Sequence, residues 1–283
     1  MRPYVALPNA GAEPQDERGN GGLAMPLIDA KIDRSVGTIC LDYYEKRNAL
    51  SAALVEDILD ALATFAKERV RAVVLRARPG VKIWSAGHDV DELPEGRRDP
   101  LGWYDPLRRL IRAIEAHPAP VIAMIEGGVW GGACEMAMAC DIIVAAENAT
   151  FALTPAKLGV PYNVSGMLTF LNSAPLRIIK EMAFTARPIP AGRALAAGLV
   201  NHILPADKLE AFAYAMAEDI VANAPLSIAV MKEELRLLAD AHPMSPLGFE
   251  RVQGLRRVVY DSADYVEGLK AFKEKRKPVY EGK

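Results

Sequence analysis

The strongest constraint on the fold is a glycine-rich turn that joins an apolar run to a helical pattern. The apolar run is Val121 to Ile125, the turn is Gly127 to Gly132, and the helical pattern extends from Ala133 to Cys140. A second small-residue turn, Ser85 to Asp89, follows the apolar run Ala72 to Leu75. Glycine and alanine let a ligand approach the main chain closely. Amides at a helix N-terminus are unpaired and favour negative charge, so two such turns could jointly hold one developing oxyanion, as in acyl-thioester enzymes. Packing alone is the alternative, because strand-to-helix turns are often glycine-rich for that reason.

Length and composition limit the classes of protein that fit this chain. At 283 residues, of which 51% are hydrophobic, it is long enough for one large domain or for a core with an appendage. The net charge of −2 argues against a nucleic-acid-binding protein, which usually has a strongly basic face. No apolar run reaches the ~18 residues of a membrane span, and residues 1–24 lack the apolar core of a signal peptide. We therefore expect a cytoplasmic protein that binds neither nucleic acid nor membrane.

The cysteines predict neither a metal site nor a disulfide framework. Cys40, Cys134 and Cys140 have no metal-ligand spacing and lie in apolar strand and helix patterns. Small buried thiols are the expected result, and free thiols fit a reducing cytoplasm.

The spacing of apolar residues predicts an α/β front half and a largely helical rear half. A helix from Ser51 to about Lys67 has Ser51 as its N-cap, and Asp105-Pro106 begins another that ends at His117-Pro118. Strands are predicted at about 27–32, 36–42, 72–76, 121–125 and 142–146. Further helices are predicted at about 176–184, 191–197, 208–223, 226–239, 246–259 and 262–274.

Three motifs occur in an order and spacing that resemble the crotonase (enoyl-CoA hydratase/isomerase) superfamily. They are Asn48 to Ser51, Ser85 to Asp89 and Gly131 to Glu135, and Phe151 through Gly159 continues the match. The resemblance implies a crotonase-type spiral of repeated strand–strand–helix units with a C-terminal helical region. It also implies a homotrimer or a hexamer built from two trimers. We expect a disordered N-terminal extension over residues 1–24, the spiral core over 25–223 and the helical region over 224–283.

The resemblance assigns the oxyanion site to two main-chain amides, those of His88 and Gly132. Histidine is the usual proton carrier near neutral pH, so the His88 side chain is one candidate for the chemistry. In the crotonase family, however, this position donates its backbone N–H to the thioester oxygen while its side chain varies. One such donor contributes roughly 3 to 4 kcal/mol of transition-state stabilisation.

The acidic residues argue against ordinary hydration of a double bond. Hydratases of the superfamily use two glutamates to handle water; Glu135 matches the first, whereas the second falls on Pro155. Proline has no titratable side chain, and addition of water needs paired acid and base groups. Glu135 then has two open roles, since it either makes the pocket unfavourable to a carboxylate or holds the neighbouring turn.

Thr154 and Tyr162 lie where the reaction-determining side chains of the family project. Tyr162 is either a packing residue of the turn or a hydrogen-bond donor to an anionic group. An oxyanion site without paired bases suits decarboxylation of a malonyl-type thioester, which requires no proton abstraction. Within the superfamily, residues 85–94, 126–133 and 158–163 resemble the bacterial methylmalonyl-CoA decarboxylases, which implies propionyl-CoA as product. Another crotonase reaction, hydration or isomerisation of an enoyl-CoA, and a non-catalytic acyl-CoA-binding homologue stay open as alternatives.

The remaining expectation concerns coenzyme A, which belongs to the substrate, so that no separate cofactor is expected. Lys46 and Arg47 suit the nucleotide phosphates because they are adjacent cations. The resemblance assigns further contacts to main-chain groups of the two turns and to the basic tail: Ala86, Gly87, His88, Asp89, Val90, Gly131, Gly132, Phe272 and Lys275.

Overall fold

The computed structural model describes residues 26–94, 99, 101–241 and 243–282. The expected extension over residues 1–24 lies outside these residues. The described strands are β1 Ile28–Asp33, β2 Val36–Leu41, β3 Ala72–Ala77, β4 Ile83–Ser85, β5 Val121–Ile125, β6 Gly128–Trp130, β7 Ile142–Ala146, β8 Thr150–Ala152, β9 Ile189–Pro190 and β10 His202–Leu204. The described helices are α1 Ala52–Lys67, α2 Pro106–Ala116, α3 Gly132–Ala139, α4 Val164–Ser173, α5 Leu176–Thr185, α6 Ala191–Ala196, α7 Ala206–Ala222, α8 Pro225–Ala239, α9 Pro246–Tyr260 and α10 Ala263–Lys273.

The strands form two sheets that the chain visits in turn. The larger sheet has the order β1-β2-β3-β5-β7-β10 and the smaller one β4-β6-β8-β9. Successive units β3-β4-α2, β5-β6-α3 and β7-β8-α4 therefore place one strand in each sheet before a helix. Apart from the antiparallel pair β1 and β2, the larger sheet is parallel. This confirms the predicted α/β class with repeated strand–strand–helix units and a helical C-terminal region.

Local sequence accounts for the best-predicted elements. Every residue of β3 and of β5 is buried, as expected for strands of a parallel sheet covered on both faces. Ser51 caps α1 by accepting a hydrogen bond from the Leu54 amide at 3.2 Å. Asp105 caps α2, whose first residue is Pro106.

The short strands of the smaller sheet and helix α4 were not predicted. β4, β6 and β8 have three residues each, too few to show a periodic pattern. Helix α4 begins at the capping residue Asn163, but its first turn contains Ser165 and Gly166, which weaken the helical pattern. These strands matter for function because β4 and β6 carry the two small-residue turns.

Helix α10 packs back against the turn that follows β8. A Cβ atom added to Gly268 would lie 2.4 Å from the Leu158 carbonyl oxygen, so only glycine permits this approach. A Cβ atom added to Gly159 would lie 3.0 Å from the Asp264 carbonyl oxygen on the other side of the same contact. The C-terminal helices thus build one wall of the cavity described next. The predicted boundary between residues 223 and 224 stays a prediction.

Candidate active site

The two small-residue turns meet at the ends of β4 and β6, which pair in parallel. A Cβ atom added to Gly87 would lie 2.3 Å from the Trp130 carbonyl oxygen and 2.8 Å from the Gly132 nitrogen. A Cβ atom added to Gly132 would lie 3.3 Å from the His88 nitrogen. Gly87 also has a φ of +88°, which side-chain-bearing residues rarely adopt. Glycine is therefore required for the close contact that brings the His88 and Gly132 amides together.

Both amides are available to a ligand. Within the described residues, the main-chain hydrogen bonds outside helices and strands include none donated by His88 or Gly132. Gly132 is the first residue of α3, where an N–H has no partner inside the helix. Two unpaired donors side by side at a helix N-terminus are suited to an anionic oxygen.

A cavity of about 540 Å³ opens onto this pair of amides. Of the predicted site residues, eleven line it: Lys46, Arg47, Ala86, His88, Asp89, Val90, Gly131, Gly132, Thr154, Tyr162 and Phe272. Gly87, Glu135 and Lys275 do not. Gly87 instead acts through backbone geometry, and Lys275 is replaced at the wall by its neighbours Arg276 and Lys277.

The cavity wall carries no pair of free carboxylates. Among the described lining residues the only acids are Asp89 and Asp91. Both are ion-paired with Lys46, whose Nζ lies 3.0 Å from Asp91 Oδ2 and 3.6 Å from Asp89 Oδ2. Pro155 lines the wall at the position where hydratases of the superfamily are expected to carry their second glutamate. Among the described lining residues, no two free side chains therefore supply the paired acid and base that addition of water requires.

Glu135 is buried behind the wall and is ion-paired with the buried Arg108 of α2. Burial raises the pKa of Glu135 to about 7, although the charge of Arg108 opposes this shift. A Cβ atom added to Gly166 would lie 3.0 Å from Glu135 Oε1 and 2.9 Å from the Tyr162 ring, so these two side chains flank one glycine. The arrangement connects α3, α2 and α4 directly behind the cavity.

Tyr162 presents a buried hydroxyl without a hydrogen-bond partner among the described residues. Its ring packs edge-on against Phe170 with 5.2 Å between ring centroids. Burial and the nearby Glu135 carboxylate raise the pKa of Tyr162 well above its ordinary value, so the phenol stays protonated. A buried donor without a partner costs free energy, and a bound acceptor would satisfy it.

Thr154 lies at the same end of the cavity as the oxyanion amides. It follows β8, and its hydroxyl makes no capping bond to the short helix that begins at Pro155. A Cβ atom added to Gly131 would lie 2.8 Å from Thr154 Oγ1, which places the hydroxyl against the Gly131-Gly132 turn.

The cavity wall also carries several cations. Buried Asn48 holds the segment that carries Lys46 and Arg47, because its side chain donates to the Trp84 carbonyl at 2.9 Å and accepts from the Tyr43 amide at 2.9 Å. Lys157, Arg276 and Lys277 add further positive charge to the wall. Phe272, with 54% of its surface exposed, offers an apolar face beside them. Cations around an apolar face suit a phosphorylated nucleotide.

Sequence reasoning missed several residues that shape this site. Lys157 and Val160 lie within segments that carry the family resemblance, but the resemblance assigns them no role, and Leu101 and Leu107 lie in no motif. Arg108 and Asp105 lie on a helix that the sequence shows only as amphipathic. In the part of the chain that the structure describes, no group of three or more His, Cys, Asp or Glu side chains is placed to hold a metal ion. No described helix combines the length and apolarity needed to cross a bilayer.

Comparison with known proteins gives this geometry a family context. A model of the enoyl-CoA hydratase/isomerase family matches residues 31–283. The methylmalonyl-CoA decarboxylase of Escherichia coli (strain K12) is 51% identical over 247 residues, which cover 87% of this chain and 95% of that protein. A carnitinyl-CoA dehydratase of Salmonella typhi is 32% identical, covering 91% of this chain and 96% of the other.

Solved structures agree with these matches. A methylmalonyl-CoA decarboxylase in complex with 2-nitronate-propionyl-CoA superposes with a TM-score of 0.90 at 49% identity, covering 92% of this chain and 100% of that chain. A methylmalonyl-CoA decarboxylase complexed with 2S-carboxypropyl CoA gives the same TM-score at 48% identity, with the same coverage. An enoyl-CoA hydratase from Mycobacterium avium subsp. paratuberculosis reaches 0.75 at 26% identity, covering 90% of this chain and 98% of the other. The chain belongs to the enoyl-CoA hydratase/isomerase family, the crotonase superfamily that its motifs resemble.

Proposed function

We propose that this protein decarboxylates methylmalonyl-CoA to propionyl-CoA through a thioester enolate. One observation carries the proposal: among the described residues, the cavity offers two unpaired amides and an unpaired phenol, but no free acid–base pair. The relatives named methylmalonyl-CoA decarboxylase, at 47% to 51% identity, support the same reaction.

The reaction suits a site that stabilises charge without removing a proton. The bond between C2 and the carboxylate carbon breaks, and its electron pair moves toward the thioester carbonyl while carbon dioxide leaves. The carbonyl oxygen becomes an enolate oxygen, which the His88 and Gly132 amides hold. A proton then adds to C2, so that one proton is consumed for each carbon dioxide released. Each amide aimed at the developing oxyanion contributes roughly 3 to 4 kcal/mol.

Tyr162 and Thr154 orient the carboxylate in this proposal. A carboxylate that accepts a hydrogen bond from the Tyr162 phenol would satisfy the buried hydroxyl, and Thr154 Oγ1 lies at the edge of the oxyanion turn. The reaction also requires the breaking bond to stand perpendicular to the thioester plane, and hydrogen bonds from these two hydroxyls would favour that pose. Either water or Tyr162 supplies the final proton.

Glu135 takes a positioning role in this scheme. It does not line the cavity and it is ion-paired with Arg108. Of the two roles left open above, these contacts favour holding α3 and its N-terminal turn over repelling the substrate carboxylate.

The cationic part of the cavity wall receives coenzyme A. Lys46 and Arg47, together with Phe272 and the adjoining basic tail, would contact the nucleotide and its phosphates. We keep Lys275 as a proposed contact, although its neighbours rather than Lys275 itself line the wall in the single chain. No separate cofactor is required, because the thioester carbonyl of the substrate is itself the electron acceptor.

We further propose that the protein forms homotrimers or hexamers in the cytoplasm, with residues 25–223 as core and 224–283 as assembly region. No residue of α8 is buried in the single chain. Helices α8 and α9 expose a set of large apolar side chains: Leu226, Val230, Leu235, Leu238, Leu247, Leu255 and Val258. Contiguous apolar surface of this kind is characteristic of protein interfaces. The free, buried thiols of the three cysteines support a reducing compartment. Light scattering should return a mass of three or six chains, and a monomer would refute the assembly.

A comparison of defined acyl-CoA substrates tests the reaction. Purified protein is incubated with methylmalonyl-CoA and, separately, with crotonyl-CoA, and the products are identified by mass spectrometry. Formation of propionyl-CoA and carbon dioxide from the first supports the proposal. Turnover of crotonyl-CoA alone would reject it in favour of hydration or isomerisation, and binding without turnover of either would favour a non-catalytic homologue.

A further inference from the structure

The side chain of His88 lies between two hydrogen-bond acceptors. Its Nε2 is 2.9 Å from Oδ2 of Asp105, and its Nδ1 is 3.1 Å from the Asp89 carbonyl oxygen. The side chains of His88 and Asp105 are only 13% and 8% exposed. Neither contact is part of the reaction proposed above, which uses only the main-chain amide of His88.

This geometry determines the protonation state of the ring. A carbonyl oxygen can only accept, so Nδ1 must carry a proton, and an ionised carboxylate likewise requires a proton on Nε2. The two contacts together therefore favour a ring with both nitrogens protonated, that is, an imidazolium ion paired with Asp105. Two neighbouring elements reinforce the charge, since α2 presents Asp105 and the short helix 90–92 presents Glu92. The N-terminus of α3, which begins at Gly132, carries no charged side chain but opposes a cation through its unpaired amides.

We propose that Asp105 is a positioning residue, which holds the His88 ring as an imidazolium ion and so fixes the main-chain amide of His88 that receives the enolate oxygen. The inference rests on the function proposed above. It gives the side chain of His88 a role, whereas the reaction proposed above uses only the main-chain amide of His88.

Asp105 can hold the His88 ring in place because Asp105 is itself held at the start of α2. Its other oxygen, Oδ1, accepts a hydrogen bond from the Arg108 amide at 3.3 Å as the N-cap of α2. The His88 ring therefore links the turn after β4 to the start of α2, and Arg108 in the first turn of the same helix is ion-paired with Glu135 of α3. Helix α2 thus contacts both the turn that carries His88 and the helix that begins at Gly132. A shift of either amide by about 1 Å would be expected to cost up to 100-fold in rate.

The pKa of His88 is consistent with this pairing. Burial alone would lower the pKa of the ring, but the hydrogen bond and charge of Asp105, with Glu92 behind it, raise it above its ordinary value. The ion pair is therefore fully formed below the ordinary pKa of about 6.5, and it is lost as the pH rises through the raised value. We expect an alkaline limb in the pH profile of kcat from this group.

Two substitutions of Asp105 distinguish the effect of its contact with the His88 ring from a general loss of stability. Asp105→Ala removes the partner of the ring, and kcat should fall about 10- to 100-fold while KM changes less, because Asp105 itself does not line the cavity. Asp105→Asn should retain most of the activity, because an amide can present either its oxygen or its NH₂ group to the ring. Because the amide can pair with the charged ring or with the neutral ring, the alkaline limb of the kcat profile should disappear in Asp105→Asn.

Ser245→Ala is the matched control for loss of a helix cap. Ser245 caps α9 by accepting from the Gly248 amide at 3.0 Å, and it does not line the cavity. Its removal should cost about 1 kcal/mol of stability and leave kcat unchanged. If Asp105→Ala behaves like Ser245→Ala, the proposal is overturned.

A second measurement does not depend on the substrate. Hydrogen–deuterium exchange at the C2 position of each histidine, followed by mass spectrometry, gives individual titration midpoints in an oligomer of any size. The midpoint of His88 should lie above about 6.5 and fall in Asp105→Asn. Buried His117, whose pKa burial lowers, should titrate below that value in both proteins and serves as the internal reference.

The outcomes distinguish this inference from the proposed function. A His88 midpoint at or below about 6.5 overturns the ion pair whatever the substrate. If methylmalonyl-CoA is not turned over, the proposed function fails, while the midpoint still decides whether Asp105 holds a charged ring. A raised midpoint together with the Ala and Asn effects on kcat supports the whole inference.

Discussion

Replacing Tyr162 by Phe should make the protein more stable and less active at the same time. The phenol oxygen is buried and has no partner among the described residues. Removing it leaves the edge-on contact between the ring and Phe170 in place. The substitution therefore removes a single oxygen atom. This atom lowers the stability of the free protein and contributes a hydrogen bond only when substrate is bound.

The two effects have different sizes. A hydrogen bond to a charged group contributes roughly 1.5 to 3 kcal/mol, so its loss should lower kcat/KM for methylmalonyl-CoA about 10- to 150-fold, because the carboxylate is then neither bound nor held in the reacting pose. Relief of an unsatisfied buried hydroxyl should raise the free energy of unfolding by about 1 kcal/mol, or about 2 to 4 °C in Tm for a chain of this size. The affinity for propionyl-CoA, which has no carboxylate, should barely change.

Tyr265→Phe is the control for this experiment. Tyr265 is buried as well, but its hydroxyl donates to the Pro94 carbonyl at 2.9 Å. Its loss should lower Tm, since it leaves an acceptor unpaired. Steady-state decarboxylation and calorimetry on both variants test the reasoning. Unchanged kinetics in Tyr162→Phe would remove the phenol from the mechanism, and a fall in Tm like that of Tyr265→Phe would show that the hydroxyl is satisfied in the free protein.

Three further substitutions test other parts of the site. Glu135→Gln should keep kcat within about tenfold of the wild type, because the side chain does not line the cavity. Its Tm should fall, because a buried ion pair is broken. A variant that is nearly inactive but stable would instead identify Glu135 as a general base. Gly132→Ala should lower kcat by about 100-fold or more, since its Cβ would lie 2.6 Å from Leu107 Cδ2 and 3.3 Å from the His88 nitrogen. Gly192→Ala, whose Cβ would meet nothing within 4 Å, should leave kcat unchanged. Lys46→Ala should raise KM several-fold at low salt and less at high salt, as measured in a KCl series; a salt-independent effect would contradict a role in phosphate binding.

Much of the site could be predicted because its signals are local. The run Val121–Ile125 is a strand with the predicted bounds, and the helix predicted from Ala133 begins one residue earlier, at Gly132. Glycine turns between such elements indicate close backbone approach without any knowledge of the partner. That the two turns meet could be expected only from the family resemblance, because β4 and β6, the strands that pair them, are too short to be recognised from periodicity.

The side-chain partners behind the turns could not be predicted. Asp105 is 17 residues from His88 and Arg108 is 27 residues from Glu135. On the sequence, both residues belong to an amphipathic helix whose polar positions look solvated. Arg108 is nevertheless buried, and nothing local marks it, since pairing over such separations is decided by how the helix packs.

The pairing of Glu135 with Arg108 bears on why a site of this family would favour decarboxylation. A lone buried carboxylate is costly, so it must either take up a proton or find a cation. Pro155 stands at the expected place of the second glutamate, and Arg108 supplies Glu135 with a compensating charge from α2. A carboxylate bound to an arginine and set behind the wall is poorly placed to remove a proton from the substrate. An enolate at the two amides can instead receive its electrons from a carbon–carbon bond, and the loss of carbon dioxide is the step that releases them.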